Sequence, residues 1–115
     1  MKTSLEEVVK FRQEMYESSM ALVTKKGQDY CRDAHETGDT LFNLRVSELL
    51  GITPSTEEGI LVRLSDKFMR LISLTKPGRE AMVKEESVLD TIRDIHNYTD
   101  YLGLIWSQRR ADTRV

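Results

Sequence analysis

The chain has 115 residues, which is enough for one domain with a buried hydrophobic core. Hydrophobic residues make up 39% and charged residues 31%, and with only six Gly and two Pro this composition excludes a disordered or low-complexity chain. Seventeen Lys and Arg against nineteen Asp and Glu leave a net charge of -2, so duplex nucleic acid is not an expected partner.

Cysteine content and hydropathy predict where the protein works. Cys31 is the one cysteine, so it cannot form a disulfide within the chain, and this usage suits a reducing cytosol. No apolar run approaches the roughly 18 residues of a membrane span, and the acidic N-terminus does not resemble a signal peptide. We therefore expect a cytoplasmic protein that makes no contact with membranes.

The first predicted helix covers residues 4–26. Thr3 and Ser4, followed by Glu6 and Glu7, offer two overlapping capping boxes, and apolar residues then recur at helical spacing. Gly27 comes directly after two lysines and is expected to end the helix as a left-handed C-cap. The polar stretch 28–40 is expected to be a loop.

A short second helix is predicted from Thr40 to Leu50. Asp39 is its expected N-cap, and Gly51 is expected to stop it. Its apolar residues indicate that it plugs one end of a helical bundle.

The third predicted helix runs to about Thr75. Pro54 is expected at its first position, and Ser55 with Glu58 forms a second capping box. The break at Lys76-Pro77-Gly78 then ends it.

The last predicted helix covers residues 87–108 and leaves a frayed tail at 109–115. No sustained period-2 run rich in β-branched residues occurs anywhere, so a sheet is not expected. The predicted fold class is all-α, a compact bundle of about four main helices plus a short helix. It forms a single domain over residues 1–115.

The third helix has two unusual faces. One is an apolar stripe expected to form core: Ile60, Leu61, Leu64, Phe68, Leu71 and Ile72. The opposite face mixes carboxylates with apolar side chains: Glu58, Val62, Asp66 and Met69. A solvated helix face would be uniformly polar, so we expect another surface to cover this one. Three cations flank it: Arg63, Lys67 and Arg70.

The last helix has an expected core stripe and an acidic face opposite to it. The core stripe is Val88, Ile92, Ile95, Thr99, Leu102 and Trp106, and the acidic face is Glu86, Asp90, Asp94 and Asn97. Like charges four residues apart repel each other, so this face calls for a counter-cation. Mg²⁺ or Mn²⁺ is one possibility and the cations of the third helix are the other. The sequence leaves both open, together with a face that is simply solvated.

The C-terminal half of the last helix is apolar nearly all round, because Tyr101, Leu104 and Ile105 lie outside the expected core stripe. Together with the second face of the third helix, this predicts a homo-oligomer. Phosphate-binding glycine motifs, nucleophile elbows and paired cysteines are absent, so nucleophilic catalysis has no candidate residue.

Several segments resemble a known family. They are residues 58–67, 70–71 and 86–98, with 26–30 and 42–43 fitting the same pattern. This pattern resembles the phage and bacterial nucleotide modification associated domain family, which is similar to the all-α, MazG-like nucleoside triphosphate pyrophosphatases. The similarity covers about residues 25–101. A phage-encoded member would work in the host cytoplasm.

The resemblance implies a cofactor and a ligand. In MazG-like enzymes, E-x-x-E and E-x-x-D motifs on two helices hold Mg²⁺ against a triphosphate. The implied ligands for Mg²⁺ or Mn²⁺ are Glu58, Asp66, Glu86, Asp90 and Asp94. The residues implied to contact a nucleotide are Lys26, Asp29, Tyr30, Asn43, Arg63, Lys67, Arg70, Asn97 and Tyr98. The chain departs from the second motif at Thr91, where the family has Glu, and its third helix has no E-x-x-E.

Three functional hypotheses follow from this pattern. The first is a MazG-like pyrophosphohydrolase that uses metal-activated water to cleave a (deoxy)nucleoside triphosphate into a monophosphate and pyrophosphate. The second is a module that binds or sequesters a nucleotide without cleaving it, or an accessory subunit of a nucleotide modification system. The third is an oligomer interface in which the cations of the third helix pair with Asp90 and Asp94.

Overall fold

Four helices make up the described part of the chain. The structure, a computed structural model, describes residues 1–30, 38–78 and 81–113, with the backbone alone for 26–30, 81–86 and 113. The helices are α1 (Leu5–Tyr30), α2 (Phe42–Leu49), α3 (Thr56–Leu74) and α4 (Ala81–Thr113), and these ranges contain no strand. The predicted all-α fold is confirmed. None of these helices combines the length and the apolar character needed to cross a membrane.

The start of α1 agrees with the prediction and its end does not. Ser4 Oγ accepts a hydrogen bond from the backbone N–H of Glu7 at 3.2 Å, which confirms the cap. The helix continues past Gly27 to Tyr30, so the predicted stop is wrong. Glycine permits a left-handed C-cap but does not require one, and inside a helix it costs only about 1 kcal/mol relative to alanine.

The short helix α2 begins later than predicted. Its N-cap is Leu41, which provides no side-chain hydrogen bond. Asp39 lies two residues earlier, so its predicted position as N-cap is wrong. Its Oδ1 still accepts a hydrogen bond from the backbone N–H of Leu41 at 3.0 Å, just before the helix begins. Gly51 ends the helix as predicted, with a φ of 73° that favours glycine.

Helix α3 keeps its predicted capping residue. Ser55 Oγ accepts from the backbone N–H of Glu58 at 3.1 Å, and the helix ends with Thr75 as its C-cap, as predicted. Pro54 lies before the cap, so its predicted place at the first helical position is wrong.

Helix α4 begins and ends outside its predicted range, and residues 109–113 are helical where a frayed tail was predicted.

Helices α3 and α4 run antiparallel and form the main contact of the fold. An early residue of α3, Glu57, pairs with Arg109 near the end of α4, while Lys67 pairs with Asp94 nearer its start. The buried cluster between and beside these pairs is Leu44, Ile60, Leu64, Tyr98 and Ile105. One stripe of buried or partly buried residues on α4 alternates four and three apart: Thr91, Ile95, Tyr98, Leu102 and Ile105. This spacing is that of a helix face packed along one partner helix.

The predicted core stripes are half right. On α3, Ile60 and Leu64 are buried as predicted, but three members of the stripe are 50–53% exposed: Leu61, Phe68 and Ile72. On α4 the stripe is turned relative to the prediction, since Thr99 and Trp106 are exposed. The apolar arc of each helix is wide enough for two packing registers. Hydrophobic periodicity alone does not identify Tyr98 and Thr91 as core residues.

The body is elongated. Its principal dimensions are 51 × 31 × 25 Å, and the 33 residues of α4 account for about 50 Å at 1.5 Å per residue. The radius of gyration is 16.8 Å, whereas a compact chain of this length would have about 13 Å.

Helix α2 packs against α3 at Gly59. A Cβ at this position would clash with Ser47 Oγ and lie 3.3 Å from Ser47 Cβ. The Ser47 hydroxyl is hydrogen bonded to Thr53 Oγ1 at 3.0 Å, so it cannot move aside freely. A glycine is therefore required at this contact between the two helices.

We predict that Gly59→Ala lowers the free energy of unfolding by about 1–3 kcal/mol, because overpacking outweighs the gain in helix propensity. Gly103→Ala is the matched control: a Cβ there contacts nothing, so this change should raise stability by about 0.5–1 kcal/mol. Urea unfolding followed by circular dichroism measures both. Equal effects of the two changes would contradict the close approach at Gly59.

A polar cluster, the C-terminal clasp, ties α4 to α2 and α3. It consists of Glu48, Thr56, Glu57 and Arg109. The Nε and Nη2 atoms of Arg109 each donate to a different oxygen of Glu57 at 2.9 Å, and Nη2 also donates to Glu48 at 3.2 Å. The other Glu48 oxygen accepts from the fully buried Thr56 hydroxyl at 2.8 Å. This clasp explains why residues expected to fray are helical.

The clasp changes the acidity of Glu48. The hydrogen bond from Thr56, followed by that from Arg109, holds the pKa of Glu48 below its usual value. A carboxyl group whose pKa is lower in the folded chain stabilises the fold fully above its unfolded pKa, and this contribution disappears as the pH falls through the folded pKa.

We therefore predict that Glu48→Gln lowers stability at pH 7, and that the difference from wild type shrinks as the pH falls below about 4.3, the usual glutamate pKa. Urea unfolding at a series of pH values measures the difference. Glu14→Gln, at an exposed position of α1, should leave stability nearly unchanged throughout. A pH-independent difference for Glu48→Gln would contradict the clasp.

Candidate functional site

One flank of α3 collects basic residues. Gly59 faces α2, and Arg63, Asp66 and Arg70 follow it at steps of four, three and four, so all four positions lie on the same flank. Each of these residues directly precedes an inward-facing position of α3. Arg63, Asp66 and Arg70 are exposed.

The corresponding flank of α4 collects acidic and amide side chains. Asp90, Asp94, Asn97 and Tyr101 follow one another at the same steps, and each directly precedes a residue of the α3–α4 interface. Asn97 is 7% exposed and its Nδ2 donates to the backbone oxygen of Ser19 at 3.2 Å, so this flank faces α1.

The two flanks lie on the same side of the helix pair. In an antiparallel pair, residues that precede interface positions on either helix turn toward the same side. We call this surface the polar flank: Arg63, Lys67, Arg70, Asp90, Asp94 and Asn97. Six of the fourteen site residues predicted from the sequence therefore lie on one surface, which α1 and α2 border.

Some predicted site residues lie elsewhere. Glu58 is exposed and stands about 200° around α3 from Ile60, on the face turned away from α4. Asp66 is an exception, because it is exposed on the same flank of α3 as Arg63 and Arg70. The side chains of four further members lie outside the described residues: Lys26, Asp29, Tyr30 and Glu86.

The carboxylates of the polar flank have basic partners. Lys67 Nζ lies 3.1 Å from Asp94 Oδ2, and the two side chains are only 27% and 17% exposed. Asp90 is 63% exposed and pairs with Nη1 of Arg93 at 2.8 Å. Arg93 Nε also donates to Ser18 Oγ of α1 at 2.8 Å. Lys67 was a predicted partner, while Arg93 was missed although it lies three residues after Asp90.

A metal site is not assembled within residues 1–25, 38–78 and 87–112, where side chains are described. No three His, Cys, Asp or Glu side chains come together there. Magnesium is commonly held by one or two carboxylates together with the phosphates of its substrate. Asp90 and Asp94, on successive turns of α4, fit that smaller set if Lys67 and Arg93 release them.

A small cavity lies where α1, α2 and α4 meet. Its volume is about 60 Å³, and its lining is Val23, Thr40, Leu41, Asn43, Leu44, Tyr98 and Tyr101. Two predicted ligand-binding residues, Asn43 and Tyr98, thus share one cavity. The rings of Tyr98 and Tyr101 meet edge to face, with centroids 6.2 Å apart. The lining is apolar, with aromatic rings and one amide, and the volume is well below the roughly 300–1,000 Å³ of a typical ligand pocket.

Sequence reasoning missed part of this cavity. The sequence pattern places Tyr101 on an apolar surface, although its spacing of three residues from Tyr98 puts the two rings on neighbouring turns. Val23 and Leu41 had no signal beyond their hydrophobicity. The predicted residues Lys26, Asp29 and Tyr30 follow Val23 in the last turns of α1.

Thr91, the position at which a MazG-like motif would have Glu, is buried. It is 3% exposed in the α3–α4 interface, and its Oγ1 donates to the backbone oxygen of Ser87 at 2.7 Å. A glutamate at this position would place a charge inside the interface.

No protein-family model, curated protein or solved structure matches the chain. The resemblance to MazG-like pyrophosphatases stays a prediction. Functional inference therefore depends on the polar flank and the cavity.

We predict different effects for the two aspartates of the polar flank. Asp94→Asn should destabilise the fold by about 1–2 kcal/mol, because it leaves the half-buried Lys67 without its partner, whereas Asp90→Asn should change stability by less than about 0.5 kcal/mol. Adding Lys67→Met to Asp94→Asn should recover most of the loss, since neither charge then remains. Urea unfolding at low and high salt measures all three. Equal costs for the two aspartates would show that the Lys67 pair is unimportant.

Proposed function

We propose that this protein binds a nucleotide or a nucleotide-like small molecule at the polar flank and the adjoining cavity. The observation that carries the proposal is the pair of exposed arginines, Arg63 and Arg70, one turn to either side of Lys67. Neither forms an ion pair with another residue of the described ranges. A guanidinium group presents two parallel N–H donors that match a phosphate.

The cavity marks where the base of such a ligand would bind, once the cavity widens from its volume of about 60 Å³. Tyr98 lines the cavity and belongs to the same buried cluster as Leu64, the residue next to Arg63. A ligand whose phosphates contact the arginines would therefore extend its base toward Asn43 and Tyr98. The amide of Asn43 offers both a donor and an acceptor to the edge of that base.

The geometry favours binding without cleavage. Lys67 and Arg93 already neutralise Asp94 and Asp90, so these carboxylates need no metal ion to be tolerated. Arginine contacts with phosphates and a stacked base likewise require none. This supports a nucleotide-binding or sequestering module, or an accessory subunit of a nucleotide modification system.

A MazG-like pyrophosphohydrolase is the second candidate. Asp90 and Asp94 favour it, because they lie on successive turns of α4 and share the polar flank with Arg63 and Arg70. These two carboxylates would hold Mg²⁺ or Mn²⁺, which when bound neutralises phosphates and polarises water. Arg63 and Arg70 would orient the phosphate oxygens of the (deoxy)nucleoside triphosphate.

The proposal extends to the setting in which the protein works. We infer that it acts as a homo-oligomer in the cytoplasm, or in the host cytoplasm if a phage encodes it. Duplex nucleic acid is an unsuitable ligand, because the chain has a net charge of -2 and its basic patch is small.

We predict that isothermal titration with standard and base-modified (deoxy)nucleoside triphosphates detects binding in the presence of EDTA. Arg63→Gln combined with Arg70→Gln should weaken that binding at least tenfold, because each charged hydrogen bond contributes about 1.5–3 kcal/mol. Arg12→Gln, at an exposed position of α1, is the control and should leave affinity unchanged.

Measuring pyrophosphate release with Mg²⁺ or Mn²⁺ separates the two candidates. Binding without release supports the non-catalytic module. Release that Asp90→Asn abolishes supports the pyrophosphohydrolase. No binding of any nucleotide would contradict both candidates and leave a helical interaction protein.

A further inference from the structure

An uncovered apolar surface lies on the opposite side of the helix pair from the polar flank. We call it the outer apolar face: Leu61, Val62, Phe68, Met69 and Ile72 of α3 with Trp106 of α4. Each of these side chains is between 50% and 64% exposed. Leu61, Phe68, Ile72 and Trp106 directly follow inward-facing positions, and this order turns them to the side away from the polar flank.

The outer apolar face has the spacing of a second helix-packing surface. Positions 61, 65, 68 and 72 alternate four, three and four apart, as residues at a helix–helix contact do. Positions 61, 62, 65, 68, 69 and 72 include no charged residue; Glu58 lies one turn before Val62 on the same side of α3, and the Arg110 guanidinium lies 4.6 Å from the centroid of the Trp106 ring. Trp106 lies level with Leu61, because the Glu57–Arg109 pair joins the two helices one turn away.

The chain does not cover this face with its other described helices. Helix α2 packs at Gly59, on the side of the polar flank, and α1 packs against α4 at Asn97, at Arg93 and beside His96. Within the described ranges only six hydrophobic side chains are buried: Met15, Leu44, Ile60, Leu64, Tyr98 and Ile105. A small core and an elongated body indicate that further apolar surface is buried by association.

The size of the face suits a dimer contact. Six large side chains that are each about half exposed present on the order of 600 Å² of apolar surface, at the upper end of what monomeric proteins expose. A standard interface buries about 800 Å² on each partner, so this face with a modest rim is sufficient.

We propose that a second copy of this chain covers the outer apolar face, with α3 of one protomer packed against α3 of its partner about a two-fold axis. A mainly apolar stripe with heptad spacing is complementary to itself, which is what a two-fold contact requires. Two α3–α4 pairs then form a four-helix core with a polar flank on each outer side. This proposal does not depend on nucleotide binding.

The test is the solution mass of the full chain and of two variants, measured by light scattering after size exclusion at micromolar concentration. Phe68→Glu places a charge at the centre of the outer apolar face. Val9→Glu is the control, since Val9 is 55% exposed on α1 and lies outside that face. We expect wild type and Val9→Glu at twice the chain mass of 13.3 kDa and Phe68→Glu at 13.3 kDa, with helix content retained.

Three results would overturn the proposal: a monomeric wild type, a Phe68→Glu variant whose mass does not fall, or a Val9→Glu variant that dissociates as fully as Phe68→Glu. If Phe68→Glu loses its helix content, Met69→Glu replaces it, because Met69 is 64% exposed in the monomer. Nucleotide titration of the Phe68→Glu monomer tests the two proposals separately, because nucleotide binding at the polar flank does not require the dimer and does not measure its formation.

Discussion

The antiparallel contact between α3 and α4 is the constraint on which the rest of the structure depends. Ile60 and Leu64 pack with Tyr98 and Ile105, with the Lys67–Asp94 pair at one end and the C-terminal clasp at the other. Burial supplies most of the stability of such a contact, while the polar pairs fix its register and direction. Once this register is set, it decides which residues of both helices turn toward α1 and α2 and which turn away.

The existence of the helices could be predicted from the sequence, and their phase could not. Caps at Ser4 and Ser55 and the stop at Gly51 are local hydrogen-bonding and conformational effects, so short-range patterns reveal them. The phase of α4 depends on which of two apolar arcs α3 occupies. Tyr98 and Thr91 are buried there, and counts of hydrophobic residues overlook both.

The candidate site was predictable where it depends on helical spacing. Arg63, Lys67 and Arg70 share a flank, and so do Asp90 and Asp94, because positions three and four apart always do. Contacts between distant segments were hidden from the sequence. The Arg93–Ser18 bond and the Arg109 pairs join residues more than 50 positions apart, and no local pattern encodes them. The cavity at Asn43 likewise exists only once three helices meet.

Two sides of one helix pair are thus assigned different roles, with nucleotide contacts on the polar flank and self-association on the outer apolar face. Amide chemical shifts of ¹⁵N-labelled full-length protein during titration with a deoxynucleoside triphosphate and EDTA test this most directly. We predict concentration-dependent shifts at Asn43, Arg63 and Arg70, with none at Phe68 or Ile72. Shifts centred on the outer apolar face, or no shifts with any nucleotide, would contradict the division.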